Sequence, residues 1–261
     1  MSFNAKSFVF DGTPSETYDL SISNLNSGEE FSTGSSSVDL LTQNIFRRST
    51  PYFYGVTTGG VLSFPCAITR RDEITAEESR IISAWLFGRL EYKKLQVVQS
   101  DMLNVYYNCF LNNPQLLKVG NKIHGYSFDV VCDAPWAWEF PKTLTKTYTG
   151  TVSDTFTFDN TSDDSDYLYP SLVVTINGSG GAVNITNTTD ASRLFQVTAL
   201  SAAEVLTVDN SRGIMTSSTG LIRLSLFNKN WFRFVPGRNS LTVAGEFSSL
   251  VFTYQLARKV V

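Results

Sequence analysis

The stretch Phe227–Leu256, which reads FNKNWFRFVPGRNSLTVAGEFSSLVFTYQL, decides the fold class. Pro236 and Gly237 suit the two central positions of a type II turn, because proline presets the first φ angle and glycine accepts the positive φ of the second. Two sets of side chains alternate in each strand: residues 231, 233 and 235 (Trp, Arg, Val) with 232 and 234 (Phe, Phe), and residues 250, 252, 254 and 256 (Leu, Phe, Tyr, Leu) with 251, 253 and 255 (Val, Thr, Gln). Strict alternation indicates strands with two different faces. The stretch therefore predicts an aromatic strand, a tight turn and two further strands that close a β-sandwich.

The rest of the C-terminal half repeats this pattern of short strands separated by turn residues. Gly-, Ser- and Asn-rich turns such as Asn177–Gly181 and Ser217–Gly220 divide it. Short strands at this spacing indicate a two-sheet, jelly-roll-like sandwich. The predicted strands lie near residues 155–158, 171–176, 182–186, 194–199, 204–208, 221–227, 231–235, 240–244 and 249–257.

One helix is predicted in the N-terminal half, over Ala76–Phe87. Thr75 and Glu78 form a capping-box pattern, in which the hydroxyl accepts from the Glu78 backbone and the carboxylate reaches back. Residues one turn apart give the helix an apolar stripe that we expect to lie across a sheet. The stripe consists of Ile81, Ile82, Trp85 and Leu86.

The chain is predicted to contain two domains, 1–140 and 141–261. The N-terminal domain combines the helix with alternating strands over 105–111 and 126–132. The C-terminal domain is predicted to be purely β. Two prolines mark the connector at Pro135–Pro141, because proline cannot donate to a strand ladder. The predicted fold class is mainly β: an N-terminal β-sandwich with one helix and a C-terminal β-sandwich.

Composition excludes several classes of function. Hydrophobic residues make up 42% of the 261 residues, charged residues 17%, and the net charge is −3. No basic patch dominates, so a tight grip on nucleic-acid phosphates is not expected. No run approaches the ~20 apolar residues of a membrane span, and the N-terminus lacks a secretory signal pattern. The sparse, odd set of cysteines predicts buried free thiols and no disulfide framework at Cys66, Cys109 and Cys132.

Catalytic motifs are missing from the sequence. His124 is the only histidine, and there is no GxSxG, HExxH, CxxC or P-loop pattern. The acidic run Asp159–Asp166 lacks the glycine and the distant glutamate of an EF-hand loop, so a solvated loop is favoured over a weak calcium site. We therefore expect no enzyme activity, no cofactor and no metal. A carboxylate pair for glycan hydrolysis stays a distant alternative, because such pairs meet only in the fold.

One aromatic residue of the stretch Phe227–Leu256 suggests another function class. Trp231 and Arg233 could together stack against a sugar ring, as in lectins, although packing inside the sandwich is the favoured interpretation. Arg223 and Asn228 are the polar residues that could assist them. The alternative function is therefore a carbohydrate-binding adhesin module that uses the C-terminal sandwich.

The order and spacing of several weak motifs resemble the distal tail proteins of long-tailed, non-contractile (siphovirus-type) bacteriophages. The resemblance covers nearly the whole chain and rests on the set and not on any single motif. Its members are Phe8, Phe10 and Gly12, the region Arg47–Gly60, Trp85 and Leu86, the strand Val105–Leu111, Gly125–Trp136, Tyr169 and Pro170, Asn187, Arg193, Phe195 and Trp231–Leu241.

This resemblance implies a fold and a role. The N-terminal domain would form a ring, expected to be hexameric, and the C-terminal domain, a galectin-like sandwich, would face outward as a docking surface. The ring would join the tail tube protein to tail-tip or tail-associated proteins, allow contact with receptor-binding proteins, and leave a channel that DNA passes without being held. The protein would be made in the host cytoplasm, would not insert into a membrane, and would reside in the virion at the distal end of the tail.

Size agrees with such a ring. A domain of this length has a diameter of ~36 Å, and six touching spheres leave a central hole about one sphere wide, enough for a DNA duplex. The polar run between Leu25 and Val38 is predicted to be an arm that lies on the adjacent subunit. The residues proposed for this inter-subunit arm are Ser27, Glu29, Glu30, Phe31 and Ser32.

Overall fold

The computed structural model describes residues 3–25, 38–58 and 60–259. It divides into two compact units, Met1–Glu139 with Arg258–Val261 and Phe140–Ala257. Each unit has its own hydrophobic core. Both are built of antiparallel strands, with a single α-helix among the described residues. The predicted mainly β class, with two sandwich-like halves and one helix, is confirmed.

In its described ranges, the first unit contains ten strands and the helix. In chain order they are β1 (Phe8–Phe10), β2 (Thr13–Pro14), β3 (Ser21–Asn24), β4 (Val38–Gln43), β5 (Tyr52–Thr58), β6 (Ser63–Ile74), α1 (Ala76–Phe87), β7 (Lys93–Val97), β8 (Val105–Val119), β9 (Lys122–Cys132) and β10 (Ala137–Glu139). A 3-10 helix covers Ser15–Tyr18. The main sheet has the order β2-β1-β7-β8-β9-β6-β3, with β10 paired to β8. Strands β4 and β5 form a separate two-stranded sheet.

Helix α1 begins and ends at the predicted residues, Ala76 and Phe87. Its capping box is present: the Glu78 amide donates to Thr75 Oγ1 at 3.3 Å, and the Thr75 amide donates to Glu78 Oε2 at 2.8 Å. Ile82, Trp85 and Leu86 are buried as expected. The prediction was wrong for Ile81, which is 40% exposed because it lies at the border of the stripe.

The core of the first unit forms around Trp85. Its ring lies nearly parallel to that of Phe8, with 5.9 Å between ring centroids, and its Nε1 donates to the carbonyl of Phe10 at 3.1 Å. A buried indole N–H needs such a partner. The predicted free thiols are confirmed: all three cysteines are buried and unpaired with one another. Burial raises the pKa of the Cys132 thiol to about 12, so it is unreactive at neutral pH.

The second unit is a sandwich of two sheets around an aromatic core. One sheet has five strands in the order β11-β19-β13-β16-β17, and the other has four in the order β12-β18-β14-β15. The strands are β11 (Lys142–Thr147), β12 (Val152–Asn160), β13 (Ser171–Ile176), β14 (Gly181–Asn187), β15 (Arg193–Leu200), β16 (Val205–Asp209), β17 (Ile214–Ser217), β18 (Gly237–Gly245) and β19 (Phe247–Tyr254). A last short strand, β20, covers Ala257–Arg258.

Two predicted strands were wrong. Residues 221–227 and 231–235 are not ladder strands, since Phe227 and Phe234 each make only one isolated bridge. The alternation there has a different cause: Phe232 and Phe234 turn inward to fill the core, with 2% and 0% exposure. The predicted positive φ of Gly237 is confirmed at 79°. Strands β11 and β17 were not predicted.

Candidate assembly and docking surfaces

The β4–β5 hairpin carries the largest set of exposed apolar side chains in the described part of the first unit. Leu40 lies opposite Val56 and Thr42 opposite Phe53, with a register shift between Leu41 and Thr42. Directly opposed residues share a face of the hairpin. The exposed fractions of Leu40, Phe53 and Val56 are 64%, 63% and 55%. Water-exposed apolar side chains in such a concentration mark an interaction surface.

No other described strand pairs with this hairpin. An isolated two-stranded hairpin is marginally stable at best in water, because it has no hydrophobic face packed against another layer. Three further large side chains of the hairpin are also exposed: Leu41, Tyr52 and Tyr54. The hairpin is therefore a surface that gains from being covered by another chain.

The turn of the hairpin is both apolar and cationic. Phe46 is 87% exposed, and Arg47 adopts a positive φ of 67°. The Arg48 guanidinium lies 4.0 Å from the centroid of the Tyr52 ring, a cation–π contact. The turn therefore offers an exposed aromatic ring for stacking and two arginine side chains for ionic contacts.

The arm residues predicted from sequence, Ser27, Glu29, Glu30, Phe31 and Ser32, lie outside the described residues. The described hairpin begins just after them, at Val38. The sequence did hold a signal for the hairpin: consecutive apolar residues at 40–41 and 52–54 give a strand two apolar faces. The neighbouring Gly- and Ser-rich run instead predicts a polar arm.

The second unit exposes apolar side chains on the crossing loop, which we define as Ser218–Leu226. The loop leaves the edge strand β17 of one sheet and reaches the edge strand β15 of the other, where the Thr198 amide donates to the Leu226 carbonyl at 3.1 Å. Ile222 is 82% exposed, and Leu221 and Leu224 are 55% and 44% exposed. The side chain between them, that of Arg223, points the other way and is buried.

Arg223 anchors the crossing loop through a buried ion pair. Its Nε donates to Glu204 Oε1 at 2.8 Å, and its NH2 donates to Glu204 Oε2 at 2.5 Å. Ser217 Oγ and the Ser201 amide also donate to the same carboxylate. A bidentate, fully hydrogen-bonded pair has a fixed geometry. The loop conformation is therefore set by the chain itself.

The pKa values of Glu204 and Arg223 agree with this ion pair. Burial alone would raise the pKa of Glu204, but hydrogen bonds from Arg223, Ser217 and the Ser201 amide outweigh it and lower that pKa to about 2. The pKa of Arg223 is raised, chiefly by its hydrogen bond to Glu204. Both groups are therefore charged throughout the physiological range.

Trp231 is partly buried at the rim of the core of the second unit. Its ring packs edge-on to Phe227, with 4.8 Å between centroids. A Cβ placed on Gly213 would lie 3.4 Å from the same ring, so the turn before β17 is also close. Arg193 Nε donates to the Trp231 carbonyl at 3.2 Å. One part of the indole thus packs inside the unit while another part stays accessible.

The three polar residues proposed beside Trp231 already have partners. Arg223 is held inward by Glu204. Arg233 forms a bidentate pair with Asp190 and lies 3.6 Å from the centroid of the Tyr167 ring. Asn228 Nδ2 donates to the Leu194 carbonyl at 2.7 Å, bracing the edge of β15. Sugar binding by this set stays a prediction, and each of these side chains has a structural role.

Candidate metal ligands and the single histidine were located in the described ranges. Within them, no group of three His, Cys, Asp or Glu side chains is placed to hold a metal ion. His124 Nδ1 lies 3.4 Å from the carbonyl of Arg70, a backbone contact. None of the helices in this part of the chain has the length and apolarity to cross a membrane.

Two family models match the chain. One, described as a phage tail protein N-terminal domain, matches residues 3–134. The other, described as a phage tail C-terminal domain, matches residues 136–254. The two matches meet at residues 134–136, close to the division between the two compact units at Glu139 and Phe140. No curated protein sequence matches the chain.

Solved structures share the fold over the full length. The Dit protein of phage SPP1, described as a paradigm of the hub adsorption apparatus in phages that infect Gram-positive bacteria, aligns with a TM-score of 0.69 at 13% identity, covering 97% of this chain and 100% of that one. A chain of the phage p2 baseplate in its activated conformation with Ca aligns with a TM-score of 0.52 at 8% identity, covering 99% and 100%. A chain of the same baseplate with Sr aligns with a TM-score of 0.53 at 7% identity and also covers 99% of this chain and 100% of that one.

Proposed function

Since this chain belongs to a family of phage tail proteins, we propose that it is the structural hub of a siphophage tail tip. In this proposal six copies form a ring at the distal end of the tail, and the ring connects the tail tube protein to tail-tip and host-binding proteins. The hub works through protein interfaces and not through catalysis. The full-length likeness to the SPP1 hub protein supports this role.

The observation that carries the assembly is the β4–β5 hairpin. Its apolar side chains are exposed on a two-stranded sheet that no other described strand joins. Covering such side chains contributes roughly 25 cal/mol for each Å² removed from water. The adjacent copy in the ring supplies the cover, and every copy in a closed ring offers one hairpin and receives another.

For DNA to pass, the proposed ring needs a central channel but no surface that binds phosphates. The net charge of −3 gives no general attraction for phosphates. We propose a channel that the genome crosses without being held. The predicted arm around residues 27–36 would add a further contact between copies, and a ring that still contains six copies after deletion of residues 27–36 would remove that arm from the proposal.

Native mass spectrometry tests the ring. Six chains of 29.0 kDa give about 174 kDa, which we expect for the protein alone or, after mixing with tail tube and tail-tip proteins, as the six-copy part of a heavier complex. The mixture is part of the test, because ring closure can require neighbouring proteins. A monomer in both preparations would contradict the proposed ring.

The carbohydrate-binding alternative has less support, because Arg223, Arg233 and Asn228 are engaged inside the unit. Its test is a glycan array probed with the natural chain and with Trp231→Ala. Binding that disappears in the variant would favour an adhesin. Signal at background for both proteins is the result that the hub proposal expects.

A further inference from the structure

Strand β17 forms one outer edge of the five-stranded sheet. Its hydrogen-bonding phase follows from a single bond, in which the Ser218 amide donates to the Val205 carbonyl at 2.9 Å. Hydrogen-bonded and non-bonded pairs alternate along an antiparallel ladder. Thr216, opposite Thr207, therefore bonds inward, whereas Met215, opposite Val208, directs its N–H and C=O away from the sheet.

The other three edges of this sandwich are protected. Strand β11 carries Lys142 and Lys146, and β12 carries Asp154 and Asp159. Strand β15 is covered by the chain that follows the crossing loop, through backbone bonds at Thr198 and Gln196. Natural proteins use charge or cover to keep edges from pairing with other chains. Strand β17, with the sequence IMTS, has no charged residue.

Apolar side chains lie on and next to this unprotected edge. Ile214 is 51% exposed, Met215 is partly buried against the core, and a Cβ placed on Gly213, just before the strand, would lie 3.4 Å from the Trp231 ring. Directly after β17 come the exposed Leu221 and Ile222 of the crossing loop. The Arg223–Glu204 pair holds that loop in place, so the apolar residues do not need to be ordered at the moment of binding.

We propose that the β17 edge accepts an extended, uncharged segment of another protein chain as an added strand. The outward backbone groups at Met215 supply ladder bonds, and the apolar residues on either side receive alternate side chains of the segment. The inference rests on the proposed function in one respect, which is that the docked segment belongs to another tail protein. Trp231 then lies at the rim of a protein-docking site and not of a sugar site.

A further copy of this chain is a poorer occupant. Four residues of β17 span only about 13 Å. A symmetric pair of β17 strands would bury far less than the ~800 Å² per partner of a stable dimer. A segment of a larger tail protein can bind a short edge, because the other contacts of that protein in the tail keep the segment at a high effective concentration.

Hydrogen exchange with residue resolution tests the inference on the isolated protein and on purified tails. The Met215 amide is expected to exchange at least about tenfold more slowly in tails, whereas the inward Thr216 amide is protected in both samples. Equal Met215 exchange in both samples would overturn the inference. Protection of Met215 in the isolated protein that grows with its concentration would identify another copy of the chain as the occupant and would overturn it too.

Matched lysine variants complete the test. Thr216→Lys places a charge on the β17 edge, and Thr145→Lys places the same charge on β11, an edge that already carries lysines; both threonines are exposed. Tails with Thr216→Lys are expected to lose the Met215 protection, and tails with Thr145→Lys to keep it. Protection retained in Thr216→Lys would overturn the inference alone. Tails that lack the chain altogether would overturn the proposed function and this inference with it.

Discussion

The β4–β5 hairpin and the crossing loop both expose apolar side chains, but the chain holds them in opposite ways. The β4–β5 hairpin of the first unit has no core of its own and no third strand among the described residues. The crossing loop of the second unit is fixed by the buried Arg223–Glu204 pair and by backbone bonds at both ends. The difference suggests two kinds of interface. In the proposed ring, the hairpin would be stabilised by the copy that covers it, whereas the crossing loop is held in shape by contacts within its own unit.

The largest expected effect comes from placing charge on the hairpin. Leu40→Glu combined with Val56→Glu puts two carboxylates on one face, and each would cost several kcal/mol if an apolar neighbour covered it. We expect association between copies to weaken by at least about 10⁴-fold, measured by native mass spectrometry across a concentration series. The free energy of unfolding of the separate chain should change by no more than about 0.5 kcal/mol, because these positions are exposed.

Leu90→Glu is the control for that variant. Leu90 is fully exposed in the same unit but lies outside the hairpin. It should leave the ring mass unchanged. Equal loss of the ring in both variants would show that general surface charge, and not the hairpin, decides assembly.

The next effect concerns the anchor of the crossing loop. Glu204→Gln leaves Arg223 buried without its counter-charge, which should lower the free energy of unfolding of the second unit by about 3–5 kcal/mol. Hydrogen exchange of the β16 amides measures this loss.

The double variant Glu204→Leu with Arg223→Met is the matched control. It removes both charges and keeps the volume apolar, so most of the stability should return. If the single and double variants are equally unstable, the pair contributes packing and not charge compensation. A stable single variant would mean that the loop is not anchored by this pair.

Acid should loosen the crossing loop but only at low pH. The pKa of Glu204 is lowered from 4.5 to about 2 in the folded protein. A depressed carboxyl pKa contributes stability that is complete above the unfolded value and is lost as pH falls through the folded value. Loop protection, corrected for intrinsic exchange, should therefore hold from about pH 7 to about 5 and decrease from about 4.5 toward about 2. The same decrease in the Glu204→Leu, Arg223→Met protein would point to another group.

The smallest effect separates the stability of the first unit from its role in assembly. Thr75→Ala removes the side-chain cap of α1 and should cost about 1 kcal/mol. Tryptophan fluorescence during urea unfolding follows it, since three of the four tryptophans lie in this unit. The ring mass of the folded protein should not change. Loss of the ring would indicate that α1, and not the hairpin alone, supports the interface.

Local signals explain which elements could be predicted from the sequence. The helix was located to the residue because its cap and its stripe depend on neighbours within one turn. Strands of the second unit were predicted correctly where alternating side chains are flanked by turn residues in the nearby sequence, as at Ser171–Ile176. Extended segments such as 231–235 alternate in the same way without joining a ladder, because their inward aromatic residues fill the core.

The candidate surfaces were harder to predict, because exposure depends on distant parts of the chain. The consecutive apolar residues at 40–41 and 52–54 give strands with two apolar faces, and such strands are usually buried, so sequence alone did not indicate that Leu40 and Phe53 would be exposed. The anchor of the crossing loop joins Arg223 to Glu204, which lies 19 positions earlier, with strands β16 and β17 between them. Nothing near Arg223 in sequence marks Glu204 as its partner. Trp231 was expected to pack in the sandwich, with sugar binding beside Arg223 as the alternative; its ring does pack against Phe227, and Arg223 is paired with Glu204.

Electron microscopy of purified tails tests the central claim most directly. All three natural cysteines are buried, so Thr157→Cys, an exposed position in the second unit, provides a selective site for a gold label. We predict labels arranged with sixfold symmetry around the axis at the distal end of the tail. Labels along the tube, at the head end, or absent from the tails would contradict the proposed hub.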